Sequence, residues 1–303
     1  MATLTPFGVA VRKLRLEKGL RLVDMAKPLG MSTAFLSAIE TGRKPIPDGL
    51  LSKISRSLEW TAGELALVRR AIEQSRKEVR LDGKSAEDRE LIAAFARSID
   101  KVPAATISQL KKLLLKSVQS EVPFQRSRRG IVVPPLGTAA LRQFAESVRA
   151  AFVPEERVDF PIMDVIEFGI ASVADPNFVF DVQEVEEMGE NEGLVPIGGC
   201  TLILRRDVYE GACQGGRRHR FTASHELGHY LLHRHITFAR ARSDSDKIYT
   251  DSEWQADTFA GTLLMSPRHA ASFSNSDEMA EACITSRSAA SCMWEKYKEE
   301  RII

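Results

Sequence analysis

The sequence predicts a mostly α-helical protein with one small β-sheet, organised as two domains. Three observations carry this expectation. Apolar residues recur at helical spacing through the first sixty residues and again through most of the second half. Only two stretches, "FVFDVQEV" and "CTLILRRDV", read as strands, the second with a β-branched apolar core. Charge divides along the chain: residues 1–130 hold 25 Lys and Arg against 14 Asp and Glu, while residues 131–303 hold 17 against 27. A basic half joined to an acidic half points to two jobs, with the basic half the one to meet nucleic acid. At 303 residues and 44% hydrophobic content, the chain is long enough to bury a core in each.

The elements follow in order. "FGVAVRKLRLEKG" places Val11, Leu14 and Leu16 on a first helix, ended by Gly19. "LVDMAKPLG" is a short second helix with Pro28 in its last turn and Gly30 closing it. "MSTAFLSAIETG" is a third, capped by Ser32 or Thr33, with Phe35, Leu36 and Ile39 facing inward. "DGLLSKISRSLEW" and "TAGELALVRRAIEQSRKEVR" supply a fourth and a fifth. "SAEDRELIAAFARSID" and "AATISQLKKLLLKSVQ" are two further helices, before "EVPFQRSRRGIVVPP" breaks the periodicity and marks a linker near 121–135. Beyond it come helices at "GTAALRQFAESVRAAF" and "IMDVIEFGIAS", the two strands, a loop at "GACQGGRRHR", helices at "FTASHELGHYLLHRH" and "EWQADTFAGTLLMS", and a closing helix pair. The expected domains are 1–80, a helical connector and linker over 81–134, and 135–303.

Several classes are excluded. The N-terminus has no apolar stretch behind a basic start, and no run reaches the roughly 18 apolar residues of a membrane span. The four cysteines form no C-x-x-C pair or disulfide framework, so a reduced, cytoplasmic protein with no membrane partner is expected.

Five short helices, the second and third joined by a tight turn at Gly30, match the layout of a helix-turn-helix domain. The stretch "SAIETGRKPIP", with Ser37, Glu40, Gly42 and Pro45, resembles the end of helix 3 in the XRE (Cro/C1-type) repressor family, over about residues 7–65. A helix N-terminus in the major groove lets short polar side chains reach base edges while Arg and Lys hold phosphates. Ser32, Thr33 and Ser37 are therefore expected at the groove of a double-stranded operator, with Arg43 and Lys44 beside the backbone. The family resemblance implies a homodimer on paired half-sites.

In "RFTASHELGHYLLHRH", His225 and His229 bracket Glu226. Residues i and i+4 on a helix project about 40° apart, so both imidazoles can point at one cation. Zinc (Zn²⁺) takes imidazole nitrogen readily, and a catalytic site keeps one position open beyond three protein ligands. Glu226 then lies where it can take a proton from an activated water and deliver it to a leaving amine. The third ligand should be a His or carboxylate on a nearby helix, where "DSEWQADTFAGTLLMSP" offers Glu253 and Asp257. Their spacing is similar to the Glu-x-x-x-Asp arrangement of the gluzincins, which implies Glu253 as ligand and Asp257 behind a ligating imidazole, fixing its tautomer.

Together the two segments resemble the ImmA/IrrE family of metallopeptidases over roughly residues 135–270. The resemblance implies an α+β gluzincin-like domain and a zinc-dependent metalloendopeptidase. It also implies a transcriptional regulator that relieves repression under stress by cleaving a regulatory protein, most simply a repressor. The alternative is a transcription factor whose zincin-like domain senses a ligand or partner without cutting. His233 lies about 6 Å further along the axis from His229 and is expected behind a ligand or in the core. His219 and His235 are expected to be exposed. Gly228 inside the helix costs about 1 kcal/mol against Ala, which close approach of a neighbouring backbone would explain. "CTLILRRDV" is the expected edge for pairing an extended peptide, and Tyr249, Arg220 and His233 are candidates for stabilising an oxyanion.

Overall fold

The structure, a computed structural model, describes residues 4–77, 133–196, 198–234 and 248–303. The described residues of 1–76 and 129–303 fold into one compact unit. The two connector helices expected within 81–134 lie outside the described residues, as does His235. The expected fold class is what the chain adopts: helices dominate, around one three-stranded sheet.

The N-terminal helices are α1 (Pro6–Glu17), α2 (Leu22–Ala26), α3 (Thr33–Glu40), α4 (Leu50–Ser57) and α5 (Ala62–Lys77). Thr5 caps α1, its Oγ1 accepting from the Gly8 amide at 3.0 Å, and Ser32 caps α3 by accepting from Phe35 N at 3.0 Å. Helix α2 stops at Ala26, before Pro28 can disturb it. Phe7, Val11, Met25, Leu36, Ile39, Leu50 and Ile54 are buried between these helices. Phe35, expected inside, is only half-buried, with the Lys44 ammonium 5.3 Å from its ring centroid. Helices α1 and α3 meet backbone to backbone: a Cβ on Gly8 would fall 2.1 Å from Glu40 O, so only glycine fits there.

The second half opens with α6 (Thr138–Phe152) and α7 (Ile162–Asp164), which runs on into a π-helix at Val165–Ala174. Then come β1 (Val179–Gln183), α8 (Val185–Met188), β2 (Gly193–Leu194), β3 (Thr201–Arg205) and α9 (Arg206–Cys213). Helices α10 (Arg217–His233), α11 (Ser252–Leu264), α12 (Pro267–Ala270), α13 (Ser276–Ala282) and α14 (Arg287–Glu299) complete the chain. None of the described helices is long and apolar enough to cross a membrane, and the four cysteines are free thiols.

Three expectations are corrected here. The strand expected from "CTLILRRDV" ends at Arg205, because Val208, Tyr209 and Ala212 fall at helical spacing and bury one face of α9. The loop expected at "GACQGGRRHR" shrinks accordingly to a turn at Gln214–Gly216. That strand is also not an edge. The sheet order is β1-β3-β2, with β1 parallel and β2 antiparallel to β3, so β3 is central and β2 is the edge strand on that side. At two residues, β2 is too short to leave a period in the sequence.

Two buried arginines tie this half together. Arg149 donates to Leu263 O at 2.7 Å, Arg157 O at 2.7 Å and Val158 O at 3.0 Å. It thereby serves a carbonyl that the end of α11 leaves without a helical partner. Arg220 donates to Phe160 O at 2.9 Å and Ile284 O at 3.2 Å. Its guanidinium is committed to holding elements together, which corrects its candidacy as an oxyanion stabiliser.

Candidate metal centre and DNA-reading face

Helix α10 stacks His225, His229 and His233 along one side, with successive ring centroids 4.6 and 5.1 Å apart. Helix α11 starts opposite them. Asp251 caps it, its carboxylate accepting from the Glu253 amide at 2.8 Å, which sets Glu253 in the first turn. The two helices approach closely at Gly228, where a Cβ would lie 3.0 Å from Phe259 Cδ1 and 3.3 Å from Ala256 Cα. The expected close backbone is therefore that of α11, and the approach brings the two sets of side chains together. His225 Nε2 lies 2.9 Å from His229 Nε2 and 3.3 Å from Glu253 Oε2, and His229 Nε2 lies 3.4 Å from Glu253 Oε1. Asp257 Oδ1 is 2.8 Å from the far nitrogen of His225, Nδ1.

The protons on these rings can be assigned from Gln255, which sequence reasoning missed. Its side-chain nitrogen faces two backbone carbonyls, Pro134 O at 2.9 Å and Tyr249 O at 2.8 Å, so that end must be the NH₂. Its Oε1 therefore accepts, and His233 Nε2–H donates to it at 3.0 Å. Burial holds His233 well below the ordinary histidine range, at about 4, so the ring is neutral and its Nδ1 has a lone pair. His229 Nδ1, 3.0 Å away, must then carry the hydrogen, leaving His229 Nε2 without one. On His225, Nδ1–H donates to Asp257, which leaves its Nε2 as a lone pair whenever that ring is neutral. Three electron-pair donors thus converge, all within 4.8 Å of one another, in a place that calls for a proton or a cation. With no cation, burial opposes charge on His225, but hydrogen bonds to Asp257 and Glu253 win and carry it up to about 10. Glu253 is pulled well below the carboxylate range by its hydrogen bonds with His225 and His229. The donor set of two imidazoles and one carboxylate fits zinc.

Glu226 points toward the sheet edge. A Cβ on Gly193 of β2 would fall 2.3 Å from Glu226 Cγ, so any larger residue there would push this side chain from its place. This places an edge strand beside the glutamate, the role expected of "CTLILRRDV".

Residues 197–280 match the family model described as the IrrE N-terminal-like domain, a peptidase family, and residues 6–67 match the one described as a helix-turn-helix domain. The chain is a helix-turn-helix domain fused to an IrrE-like peptidase domain. Neither the curated proteins nor the solved structures contain a match to it. The peptidase match spans both α10 and α11 and hence all of His225, Glu226, His229, Glu253 and Asp257.

In the helix-turn-helix domain, the motif residue Glu40 is buried and takes Arg12 Nε at 2.7 Å, while Gly42 turns the chain at φ +76°. Four of the five residues expected at DNA bond to acidic residues of the second half. Ser32 Oγ donates to Glu184 Oε1 at 2.7 Å, and Thr33 Oγ1 to Glu210 Oε1 at 2.9 Å. Ser37 is fully buried, donating to Asp181 Oδ1 at 2.6 Å and accepting from Val182 N at 3.0 Å. Arg43 reaches Asp181 Oδ1 at 2.9 Å and Glu187 Oε2 at 3.1 Å. Lys44 alone of the five turns away, over Phe35.

Proposed function

We propose that the chain is a DNA-binding zinc metallopeptidase that relieves repression by cleaving a regulatory protein, most simply a transcriptional repressor, in response to stress. The observation that carries the peptidase part is the convergence of three donor atoms from α10 and α11, all within 4.8 Å of one another, beside a glutamate. In this reading His225, His229 and Glu253 hold the ion. Asp257 and the His233–Gln255 pair fix the two imidazoles with their Nε2 lone pairs inward, which raises their quality as ligands. A bound zinc ion supplies Lewis-acid polarisation and a water acidified toward neutrality. Glu226 would serve as the general base, taking a proton on a carboxylate oxygen and returning it to the leaving amine. The edge strand β2 is where an extended substrate would pair through its main chain.

The test is Glu226→Gln, which keeps the volume and the ligands but removes the proton acceptor. Cleavage of repressors encoded beside this chain should fall about 10²–10⁴-fold, the usual contribution of a general base, with zinc content unchanged. A variant that induces its target genes normally in cells would instead leave the peptidase domain as a sensor.

A further inference from the structure

Five hydrogen bonds described above engage Ser32, Thr33, Ser37 and Arg43 with four acidic residues of the peptidase domain: Asp181, Glu184, Glu187 and Glu210. The pattern continues on α2. The Leu22 amide donates to Glu167 Oε2 at 2.9 Å, the Val23 amide to Tyr209 Oη at 3.1 Å, and Arg21 Nε to Asp164 Oδ1 at 2.6 Å. Amides at the start of that helix and cations beside it are the groups with which a helix-turn-helix domain holds phosphates. In these contacts the helix-turn-helix domain supplies the donors, and the peptidase domain supplies carboxylates and a phenol oxygen. Anionic oxygen acceptors on a curved face are also what a DNA backbone offers. A duplex cannot enter while this face is in place, because Ser37 has no exposed surface at all. Apart from Tyr209 and Glu210, the acidic partners lie outside residues 197–280, on the π-helix and its lead-in, on β1 and on α8.

We infer that the DNA-reading face of the helix-turn-helix domain is also an intramolecular docking surface, for which the acidic face of the peptidase domain and DNA compete. The inference rests on the reading of residues 6–67 as a DNA-binding domain. It makes operator occupancy a matter of undocking, and it gives the acidic residues at 181–187 a role separate from peptide cleavage. Docking and DNA binding both weaken with salt, since both consist of screened charge pairs. Their ratio is set by the balance of acidic residues on this one face.

The test uses the full-length protein, random-sequence double-stranded DNA at low salt, and site-resolved amide hydrogen exchange. The Val182 N–H is the reporter, because it donates across the interface to Ser37 Oγ. In the wild type, saturating DNA should accelerate exchange at Val182. The triple variant Glu184→Gln, Glu187→Gln, Glu210→Gln should show fast exchange there without DNA and bind the duplex about tenfold or more tightly, the scale of losing charge-assisted bonds to a competitor. The comparison is with Asp277→Asn, Glu295→Gln, Glu299→Gln, which changes the net charge equally far from the interface. Equal duplex affinity in the two triples, or a wild type that binds DNA with Val182 still protected, overturns the competition. Fast exchange at Val182 with no duplex binding in either triple sinks the DNA-binding reading, and the competition with it. If the first triple does not fold, the wild-type exchange measurement decides alone.

Discussion

The candidate metal centre and the candidate DNA-reading face are built from the same materials and finished differently. Each sets carboxylates against nitrogen groups held by helices. At the metal centre the carboxylates stay open: the side chains of Glu253 and Asp257 are 48% and 59% exposed. At the other face the central carboxylate is shut in, Asp181 at 1%, while Glu184 and Glu187 toward its rim are 22% and 39% exposed. The first arrangement turns three donor atoms toward one point that only a proton on His225 fills without metal, which suits a cation that displaces that proton. The second already pairs Ser32, Thr33, Ser37 and Arg43, so an outside ligand for these groups must displace a partner. A site is recognised less by which residues gather than by whether their hydrogen-bonding capacity is left over.

The largest expected effect breaks the open site. Glu253→Gln keeps the shape but removes the anionic ligand that both imidazoles face at 3.3 and 3.4 Å. Zinc binding, followed by metal analysis after dialysis, should be lost, while exchange at Val182 stays slow because the other face is untouched. Full zinc occupancy in this variant would show that Glu253 is not a ligand.

Next in size is the chain of hydrogen bonds behind His229. Gln255→Leu removes the acceptor that fixes His233, so His229 Nδ1 loses its defined partner. Outer partners of this kind are worth about 10–100-fold in metal affinity. Competition with a chromophoric chelator should show that loss, and Gln255→Glu, which keeps an acceptor facing His233 Nε2, should recover part of it. Equal losses in both variants would mean Gln255 matters only for packing against Pro134 and Tyr249.

How much of this was legible in the sequence follows the same division. His225, Glu226 and His229 were readable because helix geometry turns a four-residue spacing into a shared direction, and Glu253 and Asp257 because the same spacing recurs on a second helix. Gln255 was not, since a glutamine acquires its role only once Pro134 and Tyr249, far apart in the chain, converge on its nitrogen. Thr33 and Ser37 lie on α3, with Ser32 as its cap and Arg43 and Lys44 beyond its end. What faces them could not be read, because the acidic run at 181–187 looks in sequence like any solvated surface. The edge strand was misassigned for a plainer reason: β2 is two residues long, and "CTLILRRDV" carried the stronger signal although it runs through the middle of the sheet.

A third effect, about tenfold per pH unit, concerns protons at the open site. His225 without metal is carried up to about 10, so at neutral pH it holds a proton that a metal must displace. Zinc affinity should rise by about a factor of ten for each unit of pH between roughly 6.5 and 8.5, with about one proton released per ion. Calorimetry in buffers of different ionisation heat counts that proton. Asp257→Asn removes one of the three carboxylates that raise His225, so the slope should flatten; an unchanged slope would place the proton elsewhere.

The smallest effect tests whether the two faces belong to one folding unit. Thr5 caps α1 and its amide donates to Glu40 O at 3.0 Å, all within the helix-turn-helix domain. Removing such a cap, as in Thr5→Ala, costs about 0.5–2 kcal/mol. If the buried bond from Ser37 to Asp181 and the buried ion pair of Arg15 with Glu167 at 3.1 Å couple the domains, unfolding is a single transition and the loss appears in both. Trp254 on α11, next to the metal centre, and Trp60, between α4 and α5, report the two sides separately by single-tryptophan fluorescence. The two probes should melt together, shift down together in Thr5→Ala, and shift up together when zinc is added, since a ligand stabilises whatever unfolds with its site. Separate transitions, with zinc moving only the Trp254 signal, would reduce the interface to a contact between independently stable domains. Competition with DNA would then require only undocking, with no local unfolding.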